Sequence, residues 1–196
     1  MKEFNVIVAG VGGQGAITLM RIIAEAALKQ GYDVKTSELH GLAQRGGSVP
    51  CQIRFGDKIY SPLVMQGEAH LIIAMEPVEA LRACYFASKE NKTIFLVNSY
   101  SIIPLSVPIL KMKYPSLEEI KENLQDFSRQ VIVLNAAEKV KKVTGNIVMS
   151  NIYLLGYAIS KGLLPLKKEH LLKAIEEIVP KKYLEDNKKA FGLAFS

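Results

Sequence analysis

The residues best suited to chemistry lie in two glycine-rich segments. The first, Gly10-Val11-Gly12-Gly13-Gln14-Gly15, has the spacing G-x-G-x-x-G. In that pattern Gly10 permits a tight turn, and Gly12 and Gly13 let the backbone approach a ligand. Gly15 lets the next helix pack closely on a strand. Free N–H groups and the helix dipole at that helix start would attract an anion. Glu38 falls near the position where an acidic side chain binds a ribose hydroxyl. These residues alone support a phosphate or nucleotide pocket. A ligand-free strand–helix turn explains them as well.

The second segment is His40-Gly41-Leu42-Ala43-Gln44-Arg45-Gly46-Gly47-Ser48-Val49. Arg45 beside a glycine doublet offers a fork of donors that suits a phosphate or carboxylate. It suits a carboxylate across a subunit interface equally well. His40 and Gln44 lie in the same loop, within reach of a substrate or partner. The candidate ligand-binding or cofactor-proximal set is therefore Gly10, Gly12, Gly13, Gln14, Gly15, Glu38, His40, Gln44, Arg45, Gly46 and Gly47. No residue is expected to be catalytic and none to bind a metal.

Other chemistry has little footing. His40, His70 and His170 show no metal-ligand spacing. No Gly-x-Ser-x-Gly elbow or Cys/His nucleophile pair is present. Cys51 and Cys84 are far apart and form no Cys-x-x-Cys pair, so this chain alone cannot ligate an iron–sulfur cluster. They read as reduced thiols of a cytoplasmic protein, Cys51 on an apolar strand face. No export signal or bilayer-length apolar run is evident. The net charge of +6 suits a soluble surface, or one that meets an acidic partner. Its lysine pairs lack the interleaved aromatics of a nucleic-acid surface.

The elements that would position these segments alternate strand and helix. Residues 4–9 form an apolar run suited to a strand buried on both faces. A helix over 16–30 follows, closed by Gly31, then a strand over 33–38 and the loop 40–47. Residues 48–55 alternate, with Val49, Cys51, Ile53 and Phe55 on one face and Gln52 and Arg54 on the other. Gly56-Asp57 reads as a turn that returns through 58–61, making an antiparallel hairpin. Strands at 71–75, 93–97 and 130–134 complete a parallel set. Pro77 opens one helix, Ser116 and Glu119 cap another, and 102–114 is irregular. The expected fold is α/β: a three-layer α/β/α, Rossmann-like mixed sheet with an antiparallel hairpin, forming a single domain over 1–196. The helix over 147–161 is apolar in nearly every direction. It is either a central core helix or one covered by another chain, and with the apolar first helix it suggests an obligate subunit.

Together the two segments resemble the gamma-type subunit of the 2-oxoacid:ferredoxin oxidoreductases. The matching patterns are G-x-G-G-Q-G at Gly10–Gly15 and E-x-x-G-x-x-x-R-G-G at Glu38, Gly41, Arg45, Gly46 and Gly47. The run before Arg45 looks most like the indolepyruvate (arylpyruvate) type, whose small subunit is called beta. The resemblance covers most of the chain, as a domain like the pyruvate/ketoisovalerate gamma subunit (domain III type). It implies oxidative decarboxylation of an aryl 2-oxoacid to an acyl-CoA in amino-acid catabolism, with coenzyme A as co-substrate and ferredoxin as acceptor. It also implies a large alpha subunit that carries thiamine diphosphate, Mg and the iron–sulfur clusters. This sequence lacks the Gly-Asp-Gly…Asn thiamine signature. Alternatives are a gamma subunit for another 2-oxoacid (2-oxoglutarate, pyruvate or branched-chain), a stand-alone NAD(P)-binding protein, and a nucleotide or phosphate sensor.

Overall fold

A computed structural model describes residues 1–39, 46–104 and 106–195. Strand β1 (Glu3–Val11) is the apolar run that the sequence suggests, and Val6 to Ala9 are all buried. It sits inside a six-stranded sheet with β2 (Asp33–Glu38), β3 (Ser48–Gly56), β4 (Leu71–Ala74), β5 (Ile94–Asn98) and β6 (Gln130–Leu134). The order across the sheet is β2-β3-β1-β4-β5-β6. The pairs β1/β4, β4/β5 and β5/β6 are parallel. Strand β3 is antiparallel to both of its neighbours, β1 and β2, and alone runs against the rest.

Alternation along the strands separates two apolar layers, as a pleated sheet covered on both sides requires. Val6, Val8, Cys51, Ile53, Leu71 and Ile73 share one cluster, and Ile7, Ala9, Ile72, Ala74, Phe95 and Val97 another. The first layer is built by α1 (Ala16–Lys29), α5 (Ala136–Thr144), α6 (Ser150–Ser160), α7 (Lys168–Ile178) and α8 (Lys181–Gly192). The second is built by α2 (Pro77–Arg82), α4 (Leu117–Gln125) and the segment 57–69. The three-layer mixed sheet is therefore as expected. Helix α4 begins with the anticipated capping box, Ser116 and Glu119 bonding reciprocally. The connection between β5 and α4 is irregular apart from one short helix, α3 (Ser106–Ile109).

The hairpin needs correction. Residues 58–61 form no strand, because both edges of β3 are already occupied. The antiparallel partner is β2, reached through the loop before β3. The segment after Gly56 instead folds across the second face. Arg54 donates to the Ser61 and Leu63 carbonyls at 3.1 and 3.0 Å, and Gln52 accepts the Val64 N–H at 2.6 Å. The polar face of β3 thus becomes the anchor for that cover. His70 is structural. Its Nδ1 accepts the Asn5 N–H at 3.0 Å, its ring stacks on Phe4, and burial holds its pKa below the usual 6.5.

Helix α6 starts at Ser150, after a turn through 147–149 in which Asn146 Oδ1 accepts the Val148 N–H. Its all-round apolar surface is buried by this chain. Ile152, Tyr153, Leu154, Leu155 and Ala158 all lie in the first layer, among α1, α5 and α8. Helix α1 is likewise covered by the sheet beneath and α7 above. The core-helix explanation holds, and these two helices by themselves demand no second chain. Gly156 permits the tightest crossing. A Cβ there would lie 2.5 Å from the Phe191 carbonyl oxygen and 3.0 Å from Ala194 Cβ. Alanine favours a helix interior by about 1 kcal/mol over glycine, but overpacking against backbone costs about 1–3 kcal/mol. Gly156→Ala should therefore lower the thermal midpoint of the chain. An unchanged or higher midpoint in a calorimetric scan would show that α8 yields freely.

Candidate functional site

The two glycine segments are joined directly by their backbones. The β1/β3 ladder runs through Gly10–Val49 and Val11–Ser48. Beyond it the Gly12 N–H donates to the Gly47 carbonyl at 2.8 Å, and the Gly46 N–H donates to Gly12 at 3.4 Å. The Gln14 N–H closes a turn onto the Val11 carbonyl at 3.0 Å. The amides of Gly12 and Gln14 are thus committed within the chain, which reduces the donors left for an anion.

Gln14 fixes this loop over the sheet. Its Oε1 accepts the Val11 N–H at 2.8 Å, and its Nε2 donates to the Met75 carbonyl at 3.1 Å. Asn98, at the end of β5, donates to the same carbonyl and accepts the Ala136 N–H where α5 begins. One row of side-chain amides therefore ties the ends of β1, β4 and β5 to a helix start. Gly10 leaves space for it, since a Cβ there would stand 2.6 Å from Met75 Cε and 3.2 Å from Gln14 Oε1. Gly15 adopts a left-handed φ of 81° and packs against α6, where Asn151 Nδ2 donates to its carbonyl at 3.2 Å.

A cleft of about 310 Å³ opens at these strand ends, between Gly12, Gln14, Asn98, Tyr100 and Asn151. A second of about 310 Å³ adjoins it across Gly13 and Gln14, towards Thr18, Tyr183 and Asn187. Among the described residues, none that lines either is Lys, Arg, His, Asp or Glu. This is the usual place for a ligand in an open α/β sheet, and its described walls mix amides and hydroxyls with the apolar side chains of Met75, Ile102, Ile147 and Val148.

Charge lies on the other side of Gly46-Gly47. There Ser48, Glu76, Glu79, Arg82 and Tyr114 line a smaller recess of about 220 Å³. Glu76 is buried and caps α2 by accepting the Val78 and Glu79 N–H groups. It also accepts from the Tyr114 hydroxyl and, at 3.4 Å, from the Ile102 N–H. Burial and Glu76 together raise the Tyr114 phenol pKa above its usual value. Glu79 accepts from the Ser48 hydroxyl and pairs with Arg82 at 3.3 Å. Desolvation nevertheless holds its pKa above 4.5. Two carboxyl groups and the Arg82 guanidinium therefore stand on the described side of the glycine doublet.

Of the residues proposed from sequence, Gly10, Gly12, Gly13, Gln14, Gly15, Gly46 and Gly47 meet around one pair of loops. Glu38 ends β2, opposite Cys51, with β3 between it and the first glycine segment. One strand spacing is about 4.8 Å, so Glu38 is displaced from the place of a ribose-binding acid beside β1. His40, Gln44 and Arg45 lie outside the described residues. Burial first, and then Glu38, push the Cys51 thiol up to about 12, and burial pushes Cys84 to about 11. These thiols lie on opposite layers of the sheet and do not fit a shared cluster. Asn98, Asn151, Glu76, Glu79 and Tyr114 were not apparent from sequence. Only Glu76-Pro77 carried a signal, an acidic cap before proline at a strand end.

The pattern of the pyruvate ferredoxin/flavodoxin oxidoreductase family matches residues 5–196. Indolepyruvate oxidoreductase subunit IorB of Archaeoglobus fulgidus is 41% identical, over 99% of this chain and 94% of its own length. The subunit of the same name from Pyrococcus horikoshii is 39% identical, over 98% and 95%. Among solved structures, 2-oxoglutarate:ferredoxin oxidoreductase from Magnetococcus marinus superposes with a TM-score of 0.72 at 18% identity. It covers 99% of this chain and 31% of that one.

Two outcomes test the site. Gly15→Ala, forced to a left-handed φ and against Asn151, should cost about 1–2 kcal/mol, read as a lower urea midpoint. Between 4.5 and the raised value of Glu79, the folded chain binds a proton that the unfolded chain has released, so Glu79 lowers stability as pH rises through that window. Glu79→Gln should therefore gain most over the parent in melting temperature at neutral pH, the gain shrinking towards pH 4.5. A gain that grows as pH falls would contradict this sign.

Proposed function

This chain belongs to the pyruvate ferredoxin/flavodoxin oxidoreductase family, and on that premise we propose that it is the small subunit of an indolepyruvate (arylpyruvate) oxidoreductase. Near-full-length identity to two subunits of that name carries the reading. The described part of the cleft, with amide and apolar walls at the strand ends, accords with a wall contributed to a site shared with another subunit. In this reading a larger subunit holds thiamine diphosphate, Mg and the iron–sulfur clusters, which supply decarboxylation and electron transfer to ferredoxin. Coenzyme A receives the acyl group. The glycine loops, Gly10 to Gly15 with Gly46 and Gly47, then form one wall beside that chemistry. The described wall of amides and apolar side chains suits the amide-bearing arm of coenzyme A.

The stand-alone NAD(P) reading loses ground. Its clasp needs an acid next to the glycine loop, and β3 occupies that place. The scale of the neighbour fits subunit status, since this fold matches only 31% of the 2-oxoglutarate enzyme's chain.

Co-expression with the large subunit encoded in the same organism tests the proposal. The complex should be brown and reduce ferredoxin only when indolepyruvate and coenzyme A are both present. This chain alone should be colourless and inactive. Turnover by the isolated chain, or a complex that ignores arylpyruvates while using another 2-oxoacid, would overturn it.

A further inference from the structure

Between β5 and α4 the chain makes an excursion over 100–112. Its base is pinned by one buried carboxylate, since Glu76 accepts both the Ile102 N–H and the Tyr114 hydroxyl. Pro104 and Pro108 stiffen its course. Helix α3 ends in a tight closure, where the Lys111 N–H bonds Pro108 at 3.2 Å and the Met112 N–H bonds Val107 at 2.9 Å. Lys111 takes a left-handed φ of 51° at this point. Hydrogen bonds and a left-handed residue thus hold the 107–112 part of this segment. Its large apolar side chains nevertheless face solvent, with Tyr100, Ile103, Ile109, Leu110 and Met112 between 43% and 75% exposed.

We infer that this excursion is the element by which the chain docks on its larger partner subunit. The inference rests on the reading under Proposed function and adds the surface. A rigid segment that presents apolar side chains loses little order on binding, which favours association. A run of exposed large apolar side chains suits an interface. Three observations select the occupant. Tyr100 and Ile102 also line the uncharged cleft, so a chain seated here covers that cleft from water. In the 2-oxoglutarate enzyme this fold is 31% of a longer chain, so the remaining polypeptide is held to it covalently. A separate small subunit must gain the same association from its surface. The only charged residues between 100 and 114 are Lys111 and Lys113, so the matching surface is apolar with a carboxylate rim. Another exposed apolar group, Tyr60, Leu63, Met65 and Tyr85, lies near the start of β4, at the end of the sheet away from the cleft, and serves as the control.

The test uses the full chain co-expressed with its large subunit. The double variant Ile109→Asp/Leu110→Asp should leave the melting temperature of the isolated chain unchanged. It should weaken the complex about tenfold or more, measured by analytical ultracentrifugation. Met65→Ser, on the control patch, should leave the complex intact. Amide exchange should slow across 107–112 on complex formation, which reports the surface without any substitution. A double variant that binds as tightly as the parent, with no added protection there, overturns the surface. A double variant that instead breaks a homodimer of this chain overturns the choice of occupant. Failure of the parent chain itself to bind any large subunit sinks the functional reading.

Discussion

The antiparallel seam between β1 and β3 decides where everything else can go. It puts the second glycine segment beside the first, and Gly12 and Gly47 continue its hydrogen bonding past the strand ends. It displaces β2 to the sheet edge, and Glu38 with it. A motif that in a parallel neighbourhood leaves donors for a phosphate here uses some of them to hold a second loop. The same glycine spacing can therefore serve two purposes, and the strand inserted next to it selects between them.

The seam also divides the electrostatics. On the side facing Asn98 and Asn151 the described walls are neutral. On the side facing α2, Glu76 and Glu79 are buried within one turn of each other. Such burial is tolerable because every bond made by Glu76 satisfies a donor that would otherwise be orphaned, two at the start of α2 and two from the next connection. The carboxylate organises structure at long range: α2, 102 and 114 have no contiguity in sequence, yet they converge on it.

Much of the layer structure was legible in the sequence because periodicity reports burial directly. Cys51, Ile53 and Phe55 alternate with Gln52 and Arg54, and the structure gives those two sets different neighbours. The Ser116–Glu119 cap is a local bond and was equally visible. Pairing partners were harder. Gly56-Asp57 looks like a hairpin turn whether or not a vacant edge awaits the returning chain, and here none does. An all-round apolar helix looks the same whether its own domain or another chain covers it, so α6 could not be assigned from pattern alone. The acid hub was invisible for a related reason: Tyr114 reaches Glu76 across 38 positions, with no local signature. Of the paired motifs that carry the resemblance, Gly10–Gly15 and Gly46-Gly47 meet at the end of the seam.

The reversed strand also bears on synthesis. As the chain emerges from the ribosome, β1, α1 and β2 appear in order, but β1 and β2 are not neighbours in the finished sheet. A gap one strand wide separates them until Ser48–Gly56 is made, and the other flank of β1 stays open until Leu71–Ala74 follows. The first strand translated thus waits until Leu71–Ala74 is made before it is flanked on both sides. Nascent chains arrested within this stretch expose an unpaired, aggregation-prone edge, so the early part of this polypeptide is where a trigger-type chaperone would have most to do.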